Sequence, residues 1–342
     1  MRILYAIQGT GNGHLSRAIE FVPALRRRPG LEVDVLLSGS QTELEAPFRI
    51  DYRLGGLGFV FGHRGGIDLR ETLRALSVID FLREVRTLPV HRYDLVINDF
   101  EPVSAWAARR AGVPSFALSH QYAVARPGAP RPRGLSPLAL AFLRWYAPCA
   151  AGAGFHFRAY EPGMRPPVIR EEVRRARVAD YGHHTVYLPA IAEDQLVRVF
   201  SRFPLYRFEV FSKRRRVRTR IDNVDLYPVG RDTFLESMAT SRGVICGGGF
   251  ETPAEALFLG KRLLVVPMRN QFEQRCNAVA LRELGVMVLD GLGKKDWPRV
   301  GEWLRSEAPA PHPFANDTEE IIDSILSAYG PVDFGSRALS PA

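Results

Sequence analysis

Cys246-Gly247-Gly248-Gly249-Phe250-Glu251-Thr252-Pro253-Ala254-Glu255-Ala256-Leu257 decides the fold. The apolar residues Gly243 to Cys246 end a strand, three glycines follow, and a helical pattern then opens with Thr252 near its start. Pro253 sits in the first turn, where its missing N–H leaves no helical bond unmade. A strand that passes through glycines into a helix gathers free backbone N–H groups and the positive end of the helix dipole at one point, which suits a diphosphate. On this reading Gly247, Gly248, Gly249, Phe250 and Thr252 form a diphosphate-binding turn, and Glu255 is spaced to hold two ribose hydroxyls. The strand Leu263 to Val266 follows, and a second helix opens with Gln271, Glu273 and Gln274, whose amides and carboxylate suit the hydroxyls of a sugar.

Outward from this motif, short apolar runs alternate with helical periodicity, the pattern of parallel βαβ units. Ile3–Ile7, Val33–Leu37, Leu95–Ile97 and Ser115–Leu118 read as strands of a first sheet. His184–Leu188, Phe208–Phe211, Val224–Tyr227, Gly243–Cys246, Leu263–Val266 and Val286–Leu289 read as strands of a second. The proline- and charge-dense stretch from Tyr160 to Asp180 suits a linker. With 342 residues, two α/β domains are expected, 1–165 and 166–342, with a closing amphipathic helix from Thr318 that Asn316 or Asp317 would cap and that could pack back on the first domain.

The first strand runs into Gly9-Thr10-Gly11-Asn12-Gly13-His14. Gly11 and Gly13 would let a phosphate approach the backbone, and Asn12 would face an acceptor. The spacing is not that of a dinucleotide fingerprint, and the second strand leads into Ser38-Gly39-Ser40 without the acidic residue that holds a ribose, which disfavours a dehydrogenase. His14 is read two ways: as a residue satisfying a helix N-terminus, or as a base restored in basicity by a carboxylate. Asp99 and Glu101 follow a strand at the same carboxyl edge and could supply that carboxylate. Asp99 could equally cap a helix. Ser119 and His120, after the next strand, suit an acceptor pocket or an ordinary turn.

The net charge of +9 favours anionic partners. The basic run Lys213 to Arg220 lacks interleaved aromatics, so nucleic acid is not expected as a partner. The apolar segment Leu138 to Tyr146 suits either a core helix or a peripheral contact with a membrane. Three widely spaced cysteines without a CxxC pair indicate a reducing cytoplasm. No metal site and no cofactor are expected, because no DxD follows a strand and His183-His184 has no ligand neighbours.

The segment GGGFETPAEALFLGKRLLVVPMRNQFEQRCNA, residues 247–278, resembles the donor signature of GT-B glycosyltransferases, in particular the peptidoglycan N-acetylglucosaminyltransferase group. GTGNGHLSRA and DLVINDFEPVSAWAARRAGVP resemble a less characterised bacterial and archaeal branch of it. The resemblance implies two Rossmann-like domains facing a cleft and metal-independent, inverting transfer from a nucleotide-sugar, a UDP-sugar, to a polysaccharide, glycolipid or small-molecule hydroxyl. It implies that Gly248, Gly249 and Thr252 line the diphosphate, Glu255 the ribose and Glu273 and Gln274 the sugar. It also places Gly230 beside the base, and His14 on the acceptor side. Where the peptidoglycan enzyme has paired glutamines this chain has Glu273-Gln274, which argues against an N-acetylated sugar. Two alternatives stand beside transfer: a sugar-nucleotide 2-epimerase, which shares the fold, and a non-enzymatic sensor or partner subunit.

Overall fold

The computed structural model describes residues 1–9, 12–39, 46–57, 78–134, 137–268, 270–307 and 309–330. Two seven-stranded sheets carry the chain. In the first, β1 (Arg2–Gln8), β2 (Glu32–Ser38), β3 (Tyr52–Leu54), β4 (Leu95–Asp99), β5 (Ser115–Ser119), β6 (Ala151–Phe155) and β7 (Met164–Arg165) lie in the order β3-β2-β1-β4-β5-β6-β7, all parallel. The second holds β8 (His183–Tyr187), β9 (Arg207–Ser212), β10 (Thr219–Ile221), β11 (Val224–Pro228), β12 (Gly243–Cys246), β13 (Arg262–Val265) and β14 (Met287–Val288) in the order β10-β11-β9-β8-β12-β13-β14. Among the described strands only β10 runs antiparallel. Its hairpin carries the basic run, whose arginines are partly neutralised by Arg215–Glu193 and Arg218–Asp225 pairs.

Parallel strands need crossovers, and most of the crossovers here contain helices, which cover both faces. The helix Asn12–Arg26 buries Leu15, Ala18, Phe21, Val22 and Leu25 against the first sheet, a stripe of helical period. The order of each sheet reverses once, between β1 and β4 in the first and between β8 and β12 in the second. Such a reversal opens a crevice at the carboxyl ends, because the flanking crossovers depart to opposite faces.

Strand β6 carries the sequence AGAGF, which has no apolar alternation to announce a strand. Its glycines answer a packing need: a Cβ on Gly154 would stand 2.6 Å from the backbone nitrogen of Ala123, and one on Gly152 would stand 2.7 Å from Ala117 Cβ. The short helix His120–Val124 can therefore lie directly on the strand. The expected linker contains β7 and a short helix, Glu171–Arg174.

The core is continuous across both sheets. One buried cluster includes Phe21 and Phe155 from the first half with Phe250, Ala254 and Leu257 from the second, and Ile321, Ile322 and Ile325 from the helix Thr318–Tyr329. Burying a side chain such as Phe250 contributes about 1.5–3 kcal/mol. That last helix also pairs with the first half through Arg28–Glu319 and Arg165–Glu320. Its N-cap residue Asp317 makes no side-chain cap bond; Asn316 Oδ1 accepts from Thr318 N instead, at 3.4 Å.

Candidate active site

The two crevices face each other, and named side chains join them. His14, in the first turn of the helix after β1, has its Nδ1 2.7 Å from Asp99 Oδ1 at the end of β4. Arg17, one turn further along, donates from Nε to Asp99 Oδ2 at 2.9 Å and from Nη2 to Oδ1 at 2.8 Å. Its Nη1 pairs with Glu251 of the second half. Burial alone would raise the Asp99 carboxyl, but the Arg17 guanidinium and His14 outweigh it and hold Asp99 below its ordinary range. Arg17 in turn is held more firmly protonated, against its own burial, by Asp99 and Glu251.

A carboxylate can only accept, so the Asp99 contact calls for a proton on His14 Nδ1, which Arg17 Nη2 also approaches to 3.0 Å; in that tautomer Nε2 presents its lone pair. Nε2 lies 3.5 Å from the Gln121 amide nitrogen, which donates to Glu273 Oε2 at 2.8 Å. Gln121 Oε1 is buried and has no hydrogen-bond partner among the described residues. A buried acceptor left in this condition calls for a donor from elsewhere, and a ligand hydroxyl would supply one.

Phe100 shapes the same corner. Its φ of 57° is unusual for a residue with a side chain. Its ring lies parallel to that of His14, with centroids 6.5 Å apart and planes at 8°, and its other neighbour is Tyr146 at 4.7 Å.

Several expected site residues hold the site together rather than line it. Glu101 is corrected from a catalytic carboxylate to a helix cap: its two oxygens accept from Val103 N at 2.8 Å and Ser104 N at 2.6 Å, and its burial raises its pKa. Ser119 also caps, accepting from Tyr122 N at 3.1 Å. His120 bridges the halves, with Nδ1 2.7 Å from Phe155 O, Nε2 2.7 Å from Asn277 Oδ1, and its ring stacked on Phe250 at 3.8 Å. Phe250 is accordingly a packing residue of the interface. Asn277 completes the bridge by donating to Gly248 O at 3.0 Å.

Gln274 Oε1 accepts from Gly248 N at 3.1 Å and Met268 N at 2.9 Å, pinning two loops of the second half. Glu255 is buried in a bidentate pair with Arg170 of the linker, at 2.6 and 2.9 Å. Its carboxylate thus meets a guanidinium where ribose hydroxyls were expected.

Gly247, Gly249 and Thr252 stay half-buried at the cleft, and a Cβ on Gly249 would meet nothing within 4 Å. Gly13 lies directly against Glu251. Gly230 is the N-cap of the helix Arg231–Thr240, and Gln271 that of Phe272–Glu283. Gly11 and the side chain of Asn12 lie outside the described residues. Arg17, Phe100, Gln121 and Glu251 had no assigned role in the sequence reading. Their signal was position: one helical turn from His14, or adjacent to a residue already noted.

Two doubly wound sheets meeting carboxyl edge to carboxyl edge across a cleft define the GT-B class of α/β proteins. The sequence profile described as Glycosyl transferase family 1 matches residues 1–306. The chain belongs to that family and is an enzyme of the glycosyltransferase class. No curated protein matches it in sequence. Among solved structures it is similar to UDP-GlcNAc 2-epimerase from Neisseria meningitidis bound to UDP-GlcNAc, with 14% identity over 96% of this chain and 100% of that one and a TM-score of 0.61. It is also similar to MurG of Acinetobacter baumannii, with 14% identity over 95% and 99% of the two chains and a TM-score of 0.55. A third is the glycosyltransferase SsfS6 of Streptomyces sp. SF2575 complexed with thymidine diphosphate, with 15% identity over 95% and 99% and a TM-score of 0.56. At these identities the likeness is one of fold. No helix among the described residues is long and apolar enough to cross a membrane.

Proposed function

We propose that this protein moves a sugar from a nucleotide-sugar, a UDP-sugar in the first instance, onto an acceptor hydroxyl by direct, metal-independent displacement with inversion. The observation that carries the reading is the His14–Asp99 pair at 2.7 Å, set at the head of a helix and linked through Arg17 to Glu251, which follows the glycine turn of the other half. The acceptor oxygen would attack the anomeric carbon as its proton passes to His14 Nε2, and the bond from that carbon to the diphosphate would break with its electron pair leaving on the nucleoside diphosphate. Asp99 would stabilise the imidazolium so formed. Gly247, Gly249, Thr252 and the helix Glu251–Phe258 would stabilise the leaving charge through fixed N–H groups and the helix dipole. Gln121 Oε1 and Glu273 would take hydroxyls of the sugar or acceptor. Within the family, the resemblance to the peptidoglycan group supports a cytoplasmic reaction, and Glu273 beside Gln274 supports a sugar with bare hydroxyls.

One observation favours a second reading. The cleft gathers Asp99, Glu251 and Glu273 with His14, more acid–base groups than the sequence led us to expect in this chain, and a 2-epimerase would need such a set. The test is a set of incubations with UDP- and TDP-sugars, with and without acceptors, on the wild type and His14→Ala. Acceptor-dependent release of nucleoside diphosphate, lost in the variant, supports transfer. Epimerised donor without an acceptor identifies the alternative. Binding with neither outcome points to a sensor.

A further inference from the structure

Beyond the Phe100 ring lies a cavity of about 580 Å³, within the range of about 300–1,000 Å³ usual for small-molecule sites. Asn98 and Ser119 place it at the carboxyl ends of β4 and β5, and Leu143 and Trp145 of the helix Pro137–Tyr146 cover it. Phe100 thus has one face toward His14 and forms part of the cavity wall.

The lining has an unusual charge balance. Arg109, Arg126 and Arg144 contribute to it, and among the described residues no aspartate or glutamate does. Arg126 is neutralised by Glu161 at 3.0 Å. Arg109 and Arg144 have no ion-pair partner among the described residues. The Arg109 guanidinium carbon instead lies 5.3 Å from the Trp145 ring centroid and 5.5 Å from that of Trp106. Stacking of this kind orients a guanidinium while leaving its in-plane N–H groups available to an anion. Apart from Asn98, Ser119 and Cys149, the remaining walls are apolar or aromatic, including Tyr122, Pro127 and Pro148.

We propose that this cavity receives the acceptor, and that the acceptor is a flat, apolar molecule carrying an anionic group. Arg109 and Arg144 bind the anion beside Trp145, Phe100 and Tyr122 hold the ring system, and the reacting hydroxyl passes the edge of Phe100 toward His14. The inference rests on the sugar-transfer reading for the role of His14, but the binding chemistry stands on the cavity alone.

The test follows tryptophan fluorescence of the full-length protein during titration with a hydroxynaphthoate, its methyl ester and decyl phosphate. The acid is expected to bind at least about tenfold more tightly than the ester, as a charge-assisted contact requires. Arg109→Gln and Arg144→Gln should each weaken the acid by about tenfold and leave the ester unchanged. Thermal stabilisation by UDP, read on the same samples, should be equal in wild type and variants, which shows that the fold and donor site persist. Equal affinity for acid and ester, or no binding of the acid, overturns the proposal. Tighter binding of decyl phosphate than of the acid overturns the flat body in favour of a lipid phosphate. If UDP and TDP both fail to stabilise the wild type while the acid binds as described, the donor reading falls and the anionic cavity stands.

Discussion

The carboxylate of Glu251 fills the space where a side chain on Gly13 would stand. A glycine at the head of the first helix is therefore what allows Glu251 to reach Arg17 across the cleft. Gly13→Ala should displace that carboxylate and lower stability by about 1–3 kcal/mol, the cost of overpacking at a tight site. Combining it with Glu251→Ala should recover part of the loss, a coupling that chemical denaturation of the two single variants and the double variant would measure. Strict additivity would show that the two residues do not interact.

His14→Ala should reduce turnover about 10²–10⁴-fold, the usual contribution of a general base. Because the ring does not touch the glycine turn after β12, stabilisation by the nucleoside diphosphate should survive. Asp99→Asn should lower turnover as well and also cost stability, because it leaves the buried Arg17 with Glu251 as its remaining charged partner. Steady-state kinetics beside thermal unfolding separates the two effects. A His14 variant that keeps full turnover would remove this residue from the chemistry.

The depressed Asp99 pKa has a definite sign in stability. Its folded value lies below its unfolded value of about 4, so its contribution is fully present above that pH and is lost as pH falls through the folded value. Urea midpoints should therefore fall between pH 5 and pH 3 by less in Asp99→Asn than in the wild type, the comparison being of slopes. Parallel slopes would place the acid sensitivity elsewhere.

Arg170→Met alone should be strongly destabilising, by about 3–5 kcal/mol, since it strands the buried carboxylate of Glu255. The double variant Arg170→Met, Glu255→Leu should regain much of that, and calorimetry of the three proteins tests it. A double variant no better than the single would mean that Glu255 serves something other than this pair.

Burial pushes the thiols of Cys149 and Cys276 up to about 12 and raises that of Cys246 as well. At pH 8 the native protein should take up iodoacetamide slowly, and the urea-unfolded chain should gain three adducts, read by mass spectrometry. Fast native labelling of any one would show that its surroundings are open.

The sequence made the strands of high apolar content legible, such as Ile3–Ile7 within β1 and Gly243–Cys246, because their runs are bounded by glycines or helical periods. It did not disclose β6, where Ala151 to Phe155 owes its strand state to the helix pressed on it and not to its own side chains. His14 and Asp99 could be brought to one edge from topology alone. Glu101 could not be told from Asp99, since both follow the apolar run Leu95–Ile97. Only the turn at Phe100, with Asn98 Oδ1 accepting from Glu101 N at 3.0 Å, sends Glu101 back onto its own helix. Arg17–Glu251, Gln121–Glu273 and His120–Asn277 each depend on how the two sheets are set against one another, which no local pattern encodes.

The continuous core has a consequence for recombining this enzyme with its relatives. Phe250 rests on His120 and Phe157 of the first half, and the helix Thr318–Tyr329 returns to Arg28 and Arg165. A second half grafted from another member would arrive without those partners. Hybrid chains should fold only if the transplanted segment carries its facing residues with it, so changes to loops should be tolerated more readily than an exchange of halves.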